Sequence, residues 1–196
     1  MKKNLRNQIL ISSNENYSVL KNTIEKNSFK IEFIIKKLDS VLKKKGKIFI
    51  CGNGGSAAEA QHLAAEFLVR LRPNINRKPL PLISLALDTS TITACANDYN
   101  FKDIFSRNLK ALASKNDVLI CLSTSGKSRN IIEVLKMSKK MGVFSISLLG
   151  NKKSLSEKLS NYFIKVESSN TARIQEVHLF LGHLILETVE KKIFKK

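Results

Sequence analysis

The sequence predicts an α/β fold: a five-stranded parallel sheet flanked by helices on both faces, with an N-terminal helical extension and a long C-terminal helix. Three observations predict it. Short apolar runs alternate along the chain with longer stretches whose apolar residues recur at helical spacing. The short runs are apolar at successive positions, as strands covered on both faces are. The length, 196 residues with 43% hydrophobic, suits one well-packed domain and is too short for two ordinary ones.

The elements follow in order. "SVLKNTIEKNSFKIEFIIKKLDSVLKKKG" spaces its apolar residues for amphipathic helices and stops at Gly46. "KIFICG" reads as a buried strand, and Ser56 to about Arg70 as a helix. "RPNINRKPLP" is a loop, with Pro73, Pro79 and Pro81 as breakers. "LISLALD" reads as a second strand ending at Asp88, and "DIFSRNLKALA" as a helix. "DVLICLS" is a third strand, followed by the helix "SRNIIEVLKMSKKMG", which Gly142 closes. "VFSISLLG" and the shorter "YFIKV" are the fourth and fifth strands. Thr171 to about Phe194 forms a final helix, with lysines in its last turn where they suit the helix dipole. That helix is apolar nearly all round, through Ile174, Val177, Phe180, Leu181, Leu184, Ile185 and Val189. Such a helix needs burial on several sides. Together with the isoleucine- and leucine-rich first region, it is expected to pack against other subunits. Residues 1–45 read as an N-terminal helical region of the same domain, and residues 46–196 as the ligand-binding domain.

Composition excludes several classes. No apolar run reaches the length needed to cross a bilayer. The basic start, Met1 to Arg6, is followed only by Ile9, Leu10 and Ile11, too short a stretch for a secretory signal. Cys51, Cys95 and Cys121 are odd in number and lack metal-ligand spacing, which suits a reducing cytoplasm. The formal charge is +18, but lysine far outnumbers arginine, the lysines are scattered, and no aromatic-interleaved basic patch exists. No nucleic-acid or membrane partner is expected. A positive field suits an anionic small molecule.

In a fold of this class, ligands sit beyond the carboxyl ends of the strands. Two loops stand there: Gly52-Asn53-Gly54-Gly55-Ser56 and Ser123-Thr124-Ser125-Gly126-Lys127-Ser128. Both follow a strand and open a helix, so free N–H groups and the helix dipole favour an anion. "SGKS" is not a nucleotide phosphate loop, because Cys121 stands where that motif needs its first glycine. "GNGGSA" loosely matches a dinucleotide fingerprint, but the acid expected about 20 residues on is missing, since Asp88 comes later.

His62 and Glu66 lie one turn apart on one helix face. The other histidines, His178 and His183, are both on the last helix. Gln175 and His183 are separated by about 12 Å along that helix, so they are no compact chelating pair by themselves. His178 is turned away from His183 and reads as a packing residue.

"CGNGGSAAEAQHLAAE", "ANDYNF", "STSGKS" and "ARIQEVHLFLGH" together resemble the successive blocks of the phosphoheptose isomerases, bacterial members of the sugar-isomerase (SIS) domain family. The similarity runs from about Ser40 to the C-terminus. It implies a cytoplasmic homotetramer that interconverts sedoheptulose 7-phosphate and glycero-manno-heptose 7-phosphate. Carried over by motif, the substrate contacts fall on Asn53, Gly54, Gly55, Glu66, Asn97, Asp98, Ser123, Thr124, Ser125, Ser128 and Gln175. The zinc ligands fall on His62, Glu66, Gln175 and His183, and the acid/base pair on Glu66 and His183. One departure stands out: Asn151, Lys152 and Lys153 occupy the turn after the fourth strand, where relatives often carry glycines.

The residue chemistry agrees with that carry-over. Moving a carbonyl between C1 and C2 of a sugar phosphate shifts one proton between carbons and another between oxygens. A carboxylate suits the first task and an imidazole the second. The phosphate supplies binding energy remote from the reacting carbons. Two other readings are an isomerase for a different sugar phosphate and a non-catalytic relative that binds the replication initiator. The latter group lacks the acid and the terminal imidazole, both of which this chain retains.

Overall fold

The computed structural model describes residues 4–194. Helix α1 (Leu5–Lys43) opens the chain as one unbroken rod, with the Asn4 side chain accepting from the Arg6 N–H at its start. It begins well before Ser18, because nothing from Leu5 to Tyr17 breaks a helix. Its early residues Leu5, Ile9 and Tyr17 stay exposed, whereas Ile31, Ile34 and Leu38 are buried against the sheet.

The five strands are β1 (Ile48–Cys51), β2 (Leu82–Ser84), β3 (Val118–Ser123), β4 (Phe144–Leu149) and β5 (Tyr162–Lys165). All neighbours pair in parallel, in the order β2-β1-β3-β4-β5. Side chains alternate across the sheet. Ile48, Ile50, Val118, Ile120 and Leu122 face α1, α2 (Gly55–Leu68) and α7 (Thr171–Ile193). Phe49, Leu119 and Cys121 face α3 (Thr89–Asp98), α4 (Ile104–Leu112) and α5 (Arg129–Met141). With both faces covered, the continuous apolar runs of the strands are explained.

Three elements differ from the sequence reading. The second strand ends at Ser84, not Asp88. Leu85 N–H makes the last bond to β1, at Ile50 O, and then the Ser84 hydroxyl takes the Ala86 N–H and turns the chain away. Asp88 instead caps α3, accepting from the N–H groups of Ser90 and Thr91. That helix is rich in threonine and weak in helical periodicity, so the cap starts what the pattern does not announce. The short α6 (Leu155–Leu159) likewise rests on a cap, Ser154 accepting from Glu157 N–H.

The strand order places the functional loops. From β1 the chain moves to β2 on one side and then to β3 on the other, so the loops leaving β1 and β3 diverge at a switch point. At that edge Cys51 and Cys121 lie in register with their sulfurs 3.7 Å apart, and all three cysteines are free and buried.

His178 sits on the core side of α7, fully buried. Burial pushes its pKa down to about 4; the nearby Leu149 carbonyl opposes this, but neither ring nitrogen completes a hydrogen bond. The unfolded chain therefore binds an extra proton between about pH 6.5 and pH 4, and stability drains away as pH falls through that window. Urea unfolding should show a loss of about 3 kcal/mol across it from this residue alone. His178→Leu should flatten that part of the curve, and superimposable curves would refute the assignment.

Candidate active site at the switch point

After Cys51 the chain turns through Gly54, whose φ of +55° with ψ −122° is open to glycine and strained for other residues. α2 starts at the next residue. The Asn53 and Asn130 carboxamides exchange two hydrogen bonds, 2.8 and 2.7 Å, and Asn130 Oδ1 also accepts from Ile131 N–H. This pair staples the glycine loop to the start of α5, immediately beyond the hydroxyl-rich loop.

In that second loop the buried Ser123 accepts from Gly126 N–H at 3.0 Å, and Ser125 from Lys127 N–H at 3.2 Å. Ser128 is the N-cap of α5, yet its hydroxyl makes no capping bond. Thr124 and Ser125 line a pocket with Lys152, Ser168 and Thr171. Lys152, in the turn after β4, adds a cation beside the hydroxyls. The loop is thus braced from within while the mouth of the pocket carries donors suited to phosphate.

The acid and the imidazoles meet further along α2. His62 Nε2 lies 2.9 Å from His183 Nε2 and 3.5 Å from Glu66 Oε1. The rings meet edge to face, at 89°. One ligand atom from each of the three residues falls within 4.8 Å of the others. Burial lowers the His183 pKa, His62 lowers it further, and Glu66 opposes both. At 2.9 Å the two facing nitrogens cannot both carry protons, so at least one presents a lone pair. Two imidazole nitrogens and a carboxylate oxygen converging in this way form a donor set that fits zinc by ligand type.

α2 and α7 run side by side in the same direction, and contacts at successive heights show it. Gln175 Nε2 reaches Ser56 Oγ at 3.5 Å near the start of α2, with its amide against Gly55. His62 meets His183 further along. Leu63 rests on Gly182, where an added Cβ would stand 2.5 Å from Leu63 Cδ1. Gln175 makes its one hydrogen bond to Ser56 and none to the His–Glu cluster. Asn97 and Asp98 stand exposed at the end of α3, where Asn97 Nδ2 donates to Asp98 Oδ1 at 2.8 Å, and no hydrogen bond joins them to the rest of the site.

Sequence reasoning missed Asn130, Glu59 and the Ser168–Thr171 turn. Glu59 lies one turn before His62; burial pushes its carboxyl up to about 7, and Oε2 has no partner. The signal for the turn was present: "SSNT" is a third hydroxyl cluster between a strand and a helix.

The family model of the SIS domain matches residues 13–150. A phosphoheptose isomerase of Helicobacter pylori (strain Shi470) is 43% identical over 159 residues, covering 81% of this chain and 82% of the relative. One from Akkermansia muciniphila is 39% identical over 194 residues, 99% of each chain. Among solved structures, the phosphoheptose isomerase from Neisseria gonorrhoeae superposes with a TM-score of 0.88 at 31% identity, covering 96% of this chain and all of the other.

The approach of α2 to α7 at Gly182 is testable. Gly182→Val should cost about 1–3 kcal/mol in chemical unfolding, because the new side chain overpacks against Leu63. Leu63→Ala in the same chain should recover part of that loss, and full additivity of the two substitutions would count against the contact.

Proposed function

The chain belongs to the phosphoheptose isomerases of the SIS-domain family, and from that premise we propose that it interconverts sedoheptulose 7-phosphate and D-glycero-D-manno-heptose 7-phosphate. The observation that carries the reading is the meeting of Glu66, His62 and His183 two helical turns from a pair of anion-suited loops. Gly55 to His62 spans about 10 Å along α2, a length that an open-chain sugar phosphate bridges.

Ser123, Thr124, Ser125 and Ser128, with the amides of Asn53, Gly54 and Gly55, hold the phosphate. The sugar then runs along α2 past Gln175, and Asn97 and Asp98 bind hydroxyls from the α3 side. In the ketose direction, Glu66 takes the proton from C2 of the aldose. His183 donates a proton to O1 and recovers one from O2 as the carbonyl moves. Glu66 returns its proton to C1, so the reaction closes with no net change in protons. Protonating O1 as the C2 proton leaves avoids a free carbanion.

His62, Glu66 and His183 would hold zinc, and Gln175, whose amide here rests on Ser56, would join as fourth ligand by turning its side chain from Ser56 toward them. The metal, when bound, supplies electrophilic support for the developing oxyanion. Glu66 has a second oxygen that stays basic when the first is engaged, whereas the far ring nitrogen of His183 then carries an N–H, the proton it can lend to the sugar oxygens and recover. The presence of both groups, opposed at short range, speaks against a purely regulatory role.

A homotetramer in the cytoplasm completes the reading, making a precursor of activated heptose for surface polysaccharide. Its support is the row of exposed apolar residues on α1, including Leu5, Ile9, Tyr17 and Phe29, and the three unpaired buried cysteines. Among the described residues no helix is long and apolar enough to cross a membrane.

Glu66→Gln should lower kcat by about 10²–10⁴-fold while sugar-phosphate binding stays within a few-fold, measured by coupled assay and calorimetry. Near-normal turnover in that variant would remove Glu66 from the chemistry. Chelation should abolish turnover and zinc should restore it. His62→Ala should lose zinc in equilibrium dialysis, and retention at wild-type affinity would argue against the ligand set.

A further inference from the structure

Arg77 stands in the loop between α2 and β2, and its side chain is 1% exposed. Its guanidinium bonds in two directions. Nε reaches Glu190 Oε1 on α7 at 2.5 Å. The terminal nitrogens reach the carbonyl oxygens of Glu66, at 2.8 Å, and Phe67, at 2.9 Å. Both carbonyls belong to the last turn of α2, where a helix has no internal donors left.

The Leu80 N–H also reaches the Phe67 carbonyl, at 2.9 Å, whereas the Glu66 carbonyl takes its bond from Arg77. The turn carries no basic residue, and its C-cap, Val69, has φ −103°, not a left-handed turn. Glu66 itself lies in this turn, so the peptide that carries the acid is held from outside the helix. On the far side, Glu190 is fully buried and lies seven residues beyond His183, about 10 Å along α7. Arg72 Nε takes the second oxygen of Glu190 at 2.8 Å.

We propose that Arg77 is a positioning residue for the isomerisation: one guanidinium ties the backbone of Glu66 to α7 and so sets how Glu66 faces His183. The inference rests on the reading that these two side chains move the protons. Its chemistry requires arginine. A planar fork serves a carboxylate and two carbonyls at once, whereas a lysine ammonium is a point charge. Nor does stability alone explain a buried ion pair, since apolar replacements often do as well. The orientation that the fork imposes is what such a replacement lacks.

The experiment compares the wild type with Arg77→Lys and Glu190→Gln, all checked for folding by circular dichroism and thermal melts. In folded Arg77→Lys, kcat for sedoheptulose 7-phosphate should fall by about ten- to a hundredfold, the scale of a small misplacement. KM should stay within about twofold, because the glycine loop lies about three turns away along α2. An unchanged kcat overturns the proposal. A fall in activity that only tracks the loss of folded protein overturns it too, by making the role purely structural. Should Arg77→Lys not fold, Glu190→Gln carries the test. It keeps an acceptor for Arg77 and the cap on α2, and kcat should fall at least about threefold at constant KM, because its neutral bond to Arg77 is weaker. Wild-type rates there would overturn the proposal. A wild type inactive on the heptose phosphate would overturn the isomerase reading itself, and this inference with it.

Discussion

Leu63 rests on Gly182, and the absence of a side chain there lets α2 and α7 lie close together. The rest of the site depends on that approach. One helix brings His62 and Glu66, the other brings Gln175 and His183, and neither assembles the cluster alone. Because the helices run in the same direction, their contacts form a ladder. The amide of Gln175 stands at the glycine loop, the two imidazoles meet in the middle, and Arg77 ties the far ends through Glu190. A displacement of either helix would be felt at every height, since packed interiors do not deform smoothly.

The parallel sheet supplies the other axis. Its strand order makes the β1 and β3 loops neighbours that open away from each other, and the Asn53–Asn130 pair fixes their spacing. The glycine loop and the His62–Glu66 pair then share one helix, α2, at opposite ends, and the hydroxyl-rich loop is tied to them through Asn130. Binding energy at the phosphate is thereby spent at a fixed distance from the reacting carbons.

Charge is handled differently inside and outside. Inside, the buried carboxylates of Asp117 and Glu190 are held by hydrogen bonds and cations. Burial pushes Asp117 and Glu190 upward, but Lys47 and backbone N–H groups outweigh it for the first and two arginines for the second, so both stay below the usual carboxylate range. Outside, lysines dominate a net charge of +18, and an approaching phosphate dianion meets a favourable field. Glu59 contrasts with them, a half-buried acid one turn from His62 with an unpartnered oxygen and a carboxyl that burial pushes up to about 7.

Taken by itself, the sequence determined the five strands, the parallel sheet, the two loops and the one-turn spacing of His62 and Glu66. Those features are local: they follow from apolar runs, glycines and the helical repeat. α3 and α6 were not legible, because each starts from a single capping side chain and not from a periodic pattern. The meeting of His62 with His183, the Asn53–Asn130 staple and the hold of Arg77 on both helices were decided only by the tertiary structure. They join residues far apart in the chain, and no local pattern encodes how closely two helices pack until the sheet beneath them and a glycine between them set the distance.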